Sequence, residues 1–143
     1  MSNFRPYLYG AYGSNLNRAQ MSHRCPEALS CETIELDNHA LRFRGVADIE
    51  EVIGESVSLG LWMITERCEK ALDRYEGYPY LYTKKFIDTP AGQVMVYVMR
   101  DQSDIHPPAK NYLASIAQGY IDFKLDREPL KRAIDHAFVS QSI

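Results

Sequence analysis

The run Tyr7-Leu8-Tyr9-Gly10-Ala11-Tyr12-Gly13-Ser14-Asn15-Leu16 changes backbone character partway along. Tyr7 to Tyr12 is aromatic and reads as a short strand. Gly13 then lets the chain turn sharply, and Asn15 or Asn17 offers an N-cap for a helix. A strand that yields to a helix start at a glycine aims the next N–H groups outward. They would receive a carboxylate or a developing oxyanion. The plainer reading is a strand-to-helix turn with a good cap. No G-x-G-x-x-G is present, and no Lys follows the glycine as a Walker loop requires, so this is not a nucleotide loop.

Working outward, further strands are expected at Glu32 to Leu36 and at Ala40 to Arg44. In the second, Leu41 and Phe43 alternate with Arg42 and Arg44. Val57, Leu59, Leu61 and Met63 alternate in the same way, interrupted by Gly60. Tyr82 to Ile87 and Val94 to Val98 form an expected hairpin around Thr89-Pro90-Ala91-Gly92. A helix lies between these strands. Thr65 is its N-cap, Cys68, Ala71, Leu72 and Tyr75 form its apolar stripe, and Gly77 is its stop. Two more helices close the chain. One carries Tyr112, Leu113, Ile116, Ala117 and Tyr120; the other, capped by Asp126, carries Leu130, Ala133, Ile134, Ala137 and Phe138. Strands do not alternate strictly with helices, so the pattern predicts an α+β fold on a compact, barrel-like sheet.

With 143 residues, the expectation is one domain spanning 1–143. The 16 Lys and Arg against 19 Asp and Glu leave a net charge of −3, which offers no electrostatic footprint for nucleic acid. No apolar run is long enough to span a bilayer, and Met1 to Pro6 lacks the apolar core of a signal peptide. The three cysteines, Cys25, Cys31 and Cys68, are odd in number and form no C-x-x-C. The expectation is therefore no disulfide framework and a reducing, cytoplasmic setting. His23, Cys25 and Cys31 match no common zinc spacing, so no metal site is expected. The 10 tyrosines, against 5 phenylalanines and 1 tryptophan, suggest walls that are both packed and wet.

Glu76 is the second feature with chemical content. It ends the middle helix, where the macrodipole disfavours a carboxylate, and Tyr75, Tyr78 and Tyr80 stand beside it. Desolvation there would raise its pKa toward the value a general acid/base needs. The plainer reading is an exposed glutamate before a glycine cap. Asp73 reads as a surface residue paired with Arg74 or Arg67, and Cys68 as core filler.

Tyr12-Gly13-Ser14-Asn15-Leu16 together with Leu72-Asp73-Arg74-Tyr75-Glu76-Gly77 resembles the γ-glutamylcyclotransferase family, AIG2-like members included. The likeness continues through Met21, Arg24-Cys25-Pro26, Gly60, Trp62 and Pro107-Pro108-Ala109-Lys110-Asn111-Tyr112. It implies a small mixed β-barrel with flanking helices and an enzyme that needs no cofactor. The implied reaction is attack of a γ-glutamyl substrate's own α-amine on its γ-carbonyl, giving 5-oxoproline and a free amine or amino acid. By position Glu76 matches the family's acid/base. Tyr9, Gly10, Ala11, Tyr12, Gly13, Ser14 and Asn15 match the substrate loop, and Tyr112 matches a pocket tyrosine. Gly10 departs from the pattern of some relatives, standing where they carry a bulkier and often aromatic residue, which implies a wider or looser wall. The tyrosines assigned to the pocket are Tyr9, Tyr12, Tyr75, Tyr78 and Tyr112. The expected partner is a small γ-glutamyl substrate, with neither nucleic acid nor membrane, and a homodimer is left open. The competing reading is a non-catalytic module of the same fold that binds a small amino-acid-like ligand.

Overall fold

A computed structural model describes residues 7–141; Met1 to Pro6, on which the signal-peptide reading rested, and the last two residues lie outside it. The sheet has five strands: β1 (Tyr7–Ala11), β2 (Leu29–Arg44), β3 (Val46–Ile64), β4 (Tyr82–Thr89) and β5 (Gly92–Met99), in the order β2-β3-β1-β5-β4. β1 is central, antiparallel to β3 and parallel to β5. Four helices complete the fold: α1 (Arg18–Arg24), α2 (Glu66–Glu76), α3 (Lys110–Asp122) and α4 (Glu128–Gln141). The α+β expectation holds, but the sheet does not close into a barrel. Its edges β2 and β4 are not paired to each other, and side chains approach across the gap instead, with Lys85 Nζ 3.2 Å from His39 Nε2.

Local signals set the element ends. Asn17 caps α1 by accepting from the Gln20 N–H at 3.0 Å, and Thr65 caps α2 at the Cys68 N–H. Gly77 ends α2 at φ 69°, a left-handed conformation that a side chain would strain. The two short strands expected at 32–36 and 40–44 are one long strand, broken by register shifts between Ser30 and Thr33 and between Asp37 and His39. β3 begins eleven residues before Val57, because Val46 to Glu51 pairs back along β2. That segment carries charge, which buried pairing neutralises. Asp48 has a fully buried side chain and accepts from Arg44 Nε at 2.8 Å, the Met99 N–H at 2.9 Å and Gln102 Nε2 at 2.9 Å.

The core runs along both faces of the central strands. Val57, Leu59 and Leu61 are fully buried, whereas Met63, expected on the same inward stripe, is 37% exposed. One expectation fails: Cys25, just after α1, is bonded to Cys68 on α2, with Cα atoms 5.3 Å apart, while Cys31 is free and exposed. The partners are separated by 43 residues, so the pairing is a product of tertiary packing. With Cys25 and Cys68 bonded, the cysteines no longer point to a reducing setting. Among the described residues no helix is long and apolar enough to cross a membrane.

Candidate active site

A short 3₁₀ turn, Ser14–Leu16, follows β1 and is gripped from two sides. Trp62 Nε1 donates to the Asn15 carbonyl at 2.9 Å from β3. Two glycines let neighbouring elements press on it. A Cβ at Gly119 of α3 would lie 2.4 Å from Leu16 Cβ and 2.7 Å from Asn17 N, and one at Gly60 of β3 would lie 2.6 Å from Leu16 Cδ2. The opening N–H groups of this turn have no carbonyl within it to bond. Ser14 and Asn15 are nonetheless buried, at 6% and 2% exposure.

Beside the turn lies a cavity of about 220 Å³ lined by Tyr9, Tyr12, Gly13, Ser14, Asn15, Val46, Ala47, Tyr75, Glu76, Leu81, Tyr82, Tyr97 and Tyr112. Glu76 and six of the eight residues expected to hold a substrate therefore converge there. Gly10 and Ala11 do not line it. The Cβ that Gly10 lacks would point at Leu59, Val94 and Val96, about 3 Å away in the sheet's core. A bulkier residue at position 10 would crowd that core, so the expected looser cavity wall does not follow. Tyr78 also misses the cavity, and Lys84 Nζ sits 4.1 Å above its ring. Tyr82 and Tyr97, by contrast, are outside the set expected at the pocket and do line it.

The hydroxyls of the six lining tyrosines can be sorted by the direction of their hydrogen bonds. Tyr12 donates to the Tyr97 carbonyl at 2.7 Å, Tyr82 donates to the Ala47 carbonyl, and Tyr97 donates to Asp73 Oδ1 at 2.6 Å. Those three hydrogens are committed. Tyr9 instead accepts from Asn15 Nδ2, and Tyr112 accepts from the Ala47 N–H, each at 2.9 Å. Each of these two keeps its own O–H hydrogen to donate elsewhere. Tyr75 and Ser14 share one hydrogen bond of 2.9 Å between two hydroxyls, which leaves one hydrogen over. The rings brace one another edge to face, with centroids 5.8 Å apart for Tyr9 and Tyr97 and 6.5 Å for Tyr82 and Tyr97.

Among the described residues Glu76 is the one carboxylate lining the cavity. Burial pushes its carboxyl up to about 7, and the positive charge of Arg24 pulls in the opposite direction. A carboxyl poised there can take and return a proton near neutrality. The tyrosines do not compete with it, since desolvation holds Tyr9, Tyr12, Tyr82, Tyr97 and Tyr112 far above their ordinary range and therefore neutral. Asp73 is not the surface residue expected. It pairs with Lys84 Nζ at 3.0 Å and receives Tyr97, which ties α2 to β4 and β5. Among the described residues no cluster of His, Cys, Asp or Glu is arranged to hold a metal ion.

Residues 9–119 match the family model described as Gamma-glutamyl cyclotransferase, AIG2-like. No curated protein sequence gives a significant match. A solved structure titled Gamma-glutamyl cyclotransferase superposes with a TM-score of 0.73 at 22% identity, over 97% of this chain and 88% of that one. An uncharacterized protein from Homo sapiens gives 0.73 at 22% identity, over 96% and 88%. YkqA from Bacillus subtilis gives 0.75 at 21% identity, over 92% of this chain and 55% of that one. At these identities the likenesses show a shared fold.

Proposed function

The chain belongs to the gamma-glutamyl cyclotransferase, AIG2-like family, and from that footing we propose that it converts a γ-glutamyl compound into 5-oxoproline and a free amine or amino acid. Glu76, as the carboxylate, takes a proton from the substrate's α-ammonium. The freed α-amine attacks the γ-carbonyl carbon, a C–N bond forms, and the carbonyl oxygen takes negative charge. The O–H groups of Tyr9 and Tyr112 and the N–H groups opening the Ser14–Leu16 turn are the donors available to that oxygen and to the substrate carboxylate. The bond to the leaving nitrogen then breaks as Glu76 returns its proton there. The attacking nitrogen sheds its second proton as the ring closes, and the released amine carries that proton away as its ammonium. Both protons lost by the α-ammonium thus leave on the released amine, and Glu76 ends as the carboxylate.

The barrier is lowered mainly by orientation. Folding the substrate so that amine and carbonyl meet is worth up to about 7–11 kcal/mol, and one positioned acid/base adds about 10²–10⁴-fold. The observation that carries the reading is a carboxyl held near 7 inside a cavity whose tyrosines keep two hydroxyl hydrogens uncommitted. The test is to incubate the protein and its Glu76→Gln variant with a panel of γ-glutamyl dipeptides and γ-glutamylamines, measuring 5-oxoproline. Release by the wild type alone is expected. Equal release by both would remove Glu76 from the mechanism, and binding without release by the wild type would make the protein a binding module.

A further inference from the structure

We propose that Arg24 is a positioning residue for Glu76, setting the orientation of Asn15 and Tyr75 against the carboxylate and supplying the cation that faces it. The kinetic consequence rests on the role proposed above for Glu76; the geometry does not. A guanidinium carries only donors. Arg24 Nη1 donates to Asn15 Oδ1 at 2.8 Å, which turns the other end of that amide inward. Asn15 Nδ2 then reaches the Tyr9 hydroxyl at 2.9 Å and Glu76 Oε1 at 3.5 Å. The reversed amide would set two donors face to face at Arg24 and a carbonyl against the Glu76 carboxylate. Arg24 thereby selects the orientation in which Tyr9 is an acceptor and keeps its own hydrogen.

The same guanidinium is fixed on two other sides. Its Nη2 donates to Gln20 Oε1 at 2.9 Å, one turn back along α1. Its carbon lies 3.6 Å from the centroid of the Tyr75 ring, whose hydroxyl meets Ser14. Tyr75 is 43% exposed and lines the cavity, so Arg24 holds one lip of its mouth. The bond from Cys25 to Cys68 fixes the chain just after Arg24 to α2, the helix that ends in Glu76.

The titratable groups facing Glu76 from the strands and from α3 are Tyr9, Tyr12, Tyr82, Tyr97 and Tyr112, all neutral. On its own helix, Asp73 is paired with Lys84. Arg24, from α1, is the cation whose field opposes the effect of burial on Glu76.

The test follows the Glu76 carboxyl by carbon NMR with glutamate labelled at Cδ, in the wild type, Arg24→Gln and Arg24→Lys, with Glu76→Gln to assign the signal. Arg24→Gln is expected to raise the Glu76 midpoint by about one pH unit or more. Arg24→Lys keeps the charge and is expected to hold it near the wild-type value. The γ-glutamyl compound that the wild type turns over fastest then supplies a second readout. With Arg24→Gln the acid limb of kcat should move up with the midpoint, giving about a fivefold loss at pH 7 that fades by about pH 9, on top of a pH-independent loss from the missing fork to Asn15 and stack on Tyr75. Arg24→Lys should lower kcat at every pH without moving the limb, because it loses the fork to Asn15 and the stack on Tyr75. An unmoved midpoint in Arg24→Gln overturns the proposal. If that variant does not fold, a midpoint that rises by a full unit in Arg24→Lys overturns it instead. If the wild type releases no 5-oxoproline from any γ-glutamyl compound, the proposed reaction falls, while the NMR titration still decides the role of Arg24.

Discussion

Replacing Glu76 by Gln should make the protein more stable in mildly alkaline solution while removing its proposed activity. The folded carboxyl titrates at about 7 against an ordinary 4.5, because burial penalises its charge. Between those values the folded protein holds a proton that the unfolded chain has released. Stability contributed at this site is therefore fully present below 4.5, falls as pH rises through the window, and is flat above about 7. At about 1.36 kcal/mol per unit the ceiling is about 3.4 kcal/mol; water at the cavity mouth brings the expected difference down to about 1–2 kcal/mol. Gln has nearly the same shape and no charge to desolvate, so it removes the slope. Urea unfolding of both proteins at a series of pH values, followed by tryptophan fluorescence, measures the difference directly. Every other carboxylate titrates alike in the two proteins and cancels. The variant should match the wild type near pH 4.5 and exceed it by about 1–2 kcal/mol at pH 8.5. A difference that stays constant with pH would refute the reasoning, since it would mean that Glu76 is not desolvated in the fold.

Three other outcomes are expected. Tyr112→Phe leaves the Ala47 N–H without its acceptor and takes a donor from the cavity, so stability should fall by about 1–3 kcal/mol in urea melts and 5-oxoproline release should slow. Gly119→Ala sets helix propensity, worth about 1 kcal/mol in favour of alanine, against a Cβ 2.4 Å from Leu16 Cβ and 2.7 Å from the Asn17 main chain. The crowding wins, because neither contact is a flexible side-chain end; a net loss of about 1–3 kcal/mol in a thermal melt is expected, and a gain would contradict the close approach. Thiol titration of protein denatured without reductant should find one reactive group per chain, Cys31; three would show that Cys25 and Cys68 are not bonded.

What could be read from the chain alone was what nearest neighbours decide. Thr65, Gly77 and Asn17 mark helix ends because a cap acts on main-chain groups within a few residues. Glu76 stood out as a candidate by its helix terminus, which is local. Of the aromatic neighbours expected to desolvate it, however, Tyr75 alone lines the cavity, and the cavity's other tyrosines, Tyr9, Tyr12, Tyr82, Tyr97 and Tyr112, are distant in sequence. Val46 to Glu51 was not legible as strand, because its charges look solvated until Arg44 and Gln102 arrive to neutralise Asp48. Which tyrosines face the cavity was also out of reach. Tyr82 and Tyr97 are selected by strand register, which one residue of slip would reverse, while Tyr78, next but one to Glu76, turns away beneath Lys84. Asp73 was misplaced for the same reason: its partners lie on β4 and β5.

The grip of Gly60, Gly119 and Trp62 on the Ser14–Leu16 turn divides the labour of the cavity for anyone who would redesign it. The chemical end is seated against rigid backbone and tolerates no added atoms, so diversifying it spoils the scaffold before it changes selectivity. Elsewhere the lining is built differently: Leu81 is 48% exposed, and Tyr80, beside it, is 85% exposed. A library confined to positions 80 and 81 would vary that wall while the turn stays where the two glycines put it, with the Tyr75–Ser14 bond and the Arg24 stack untouched.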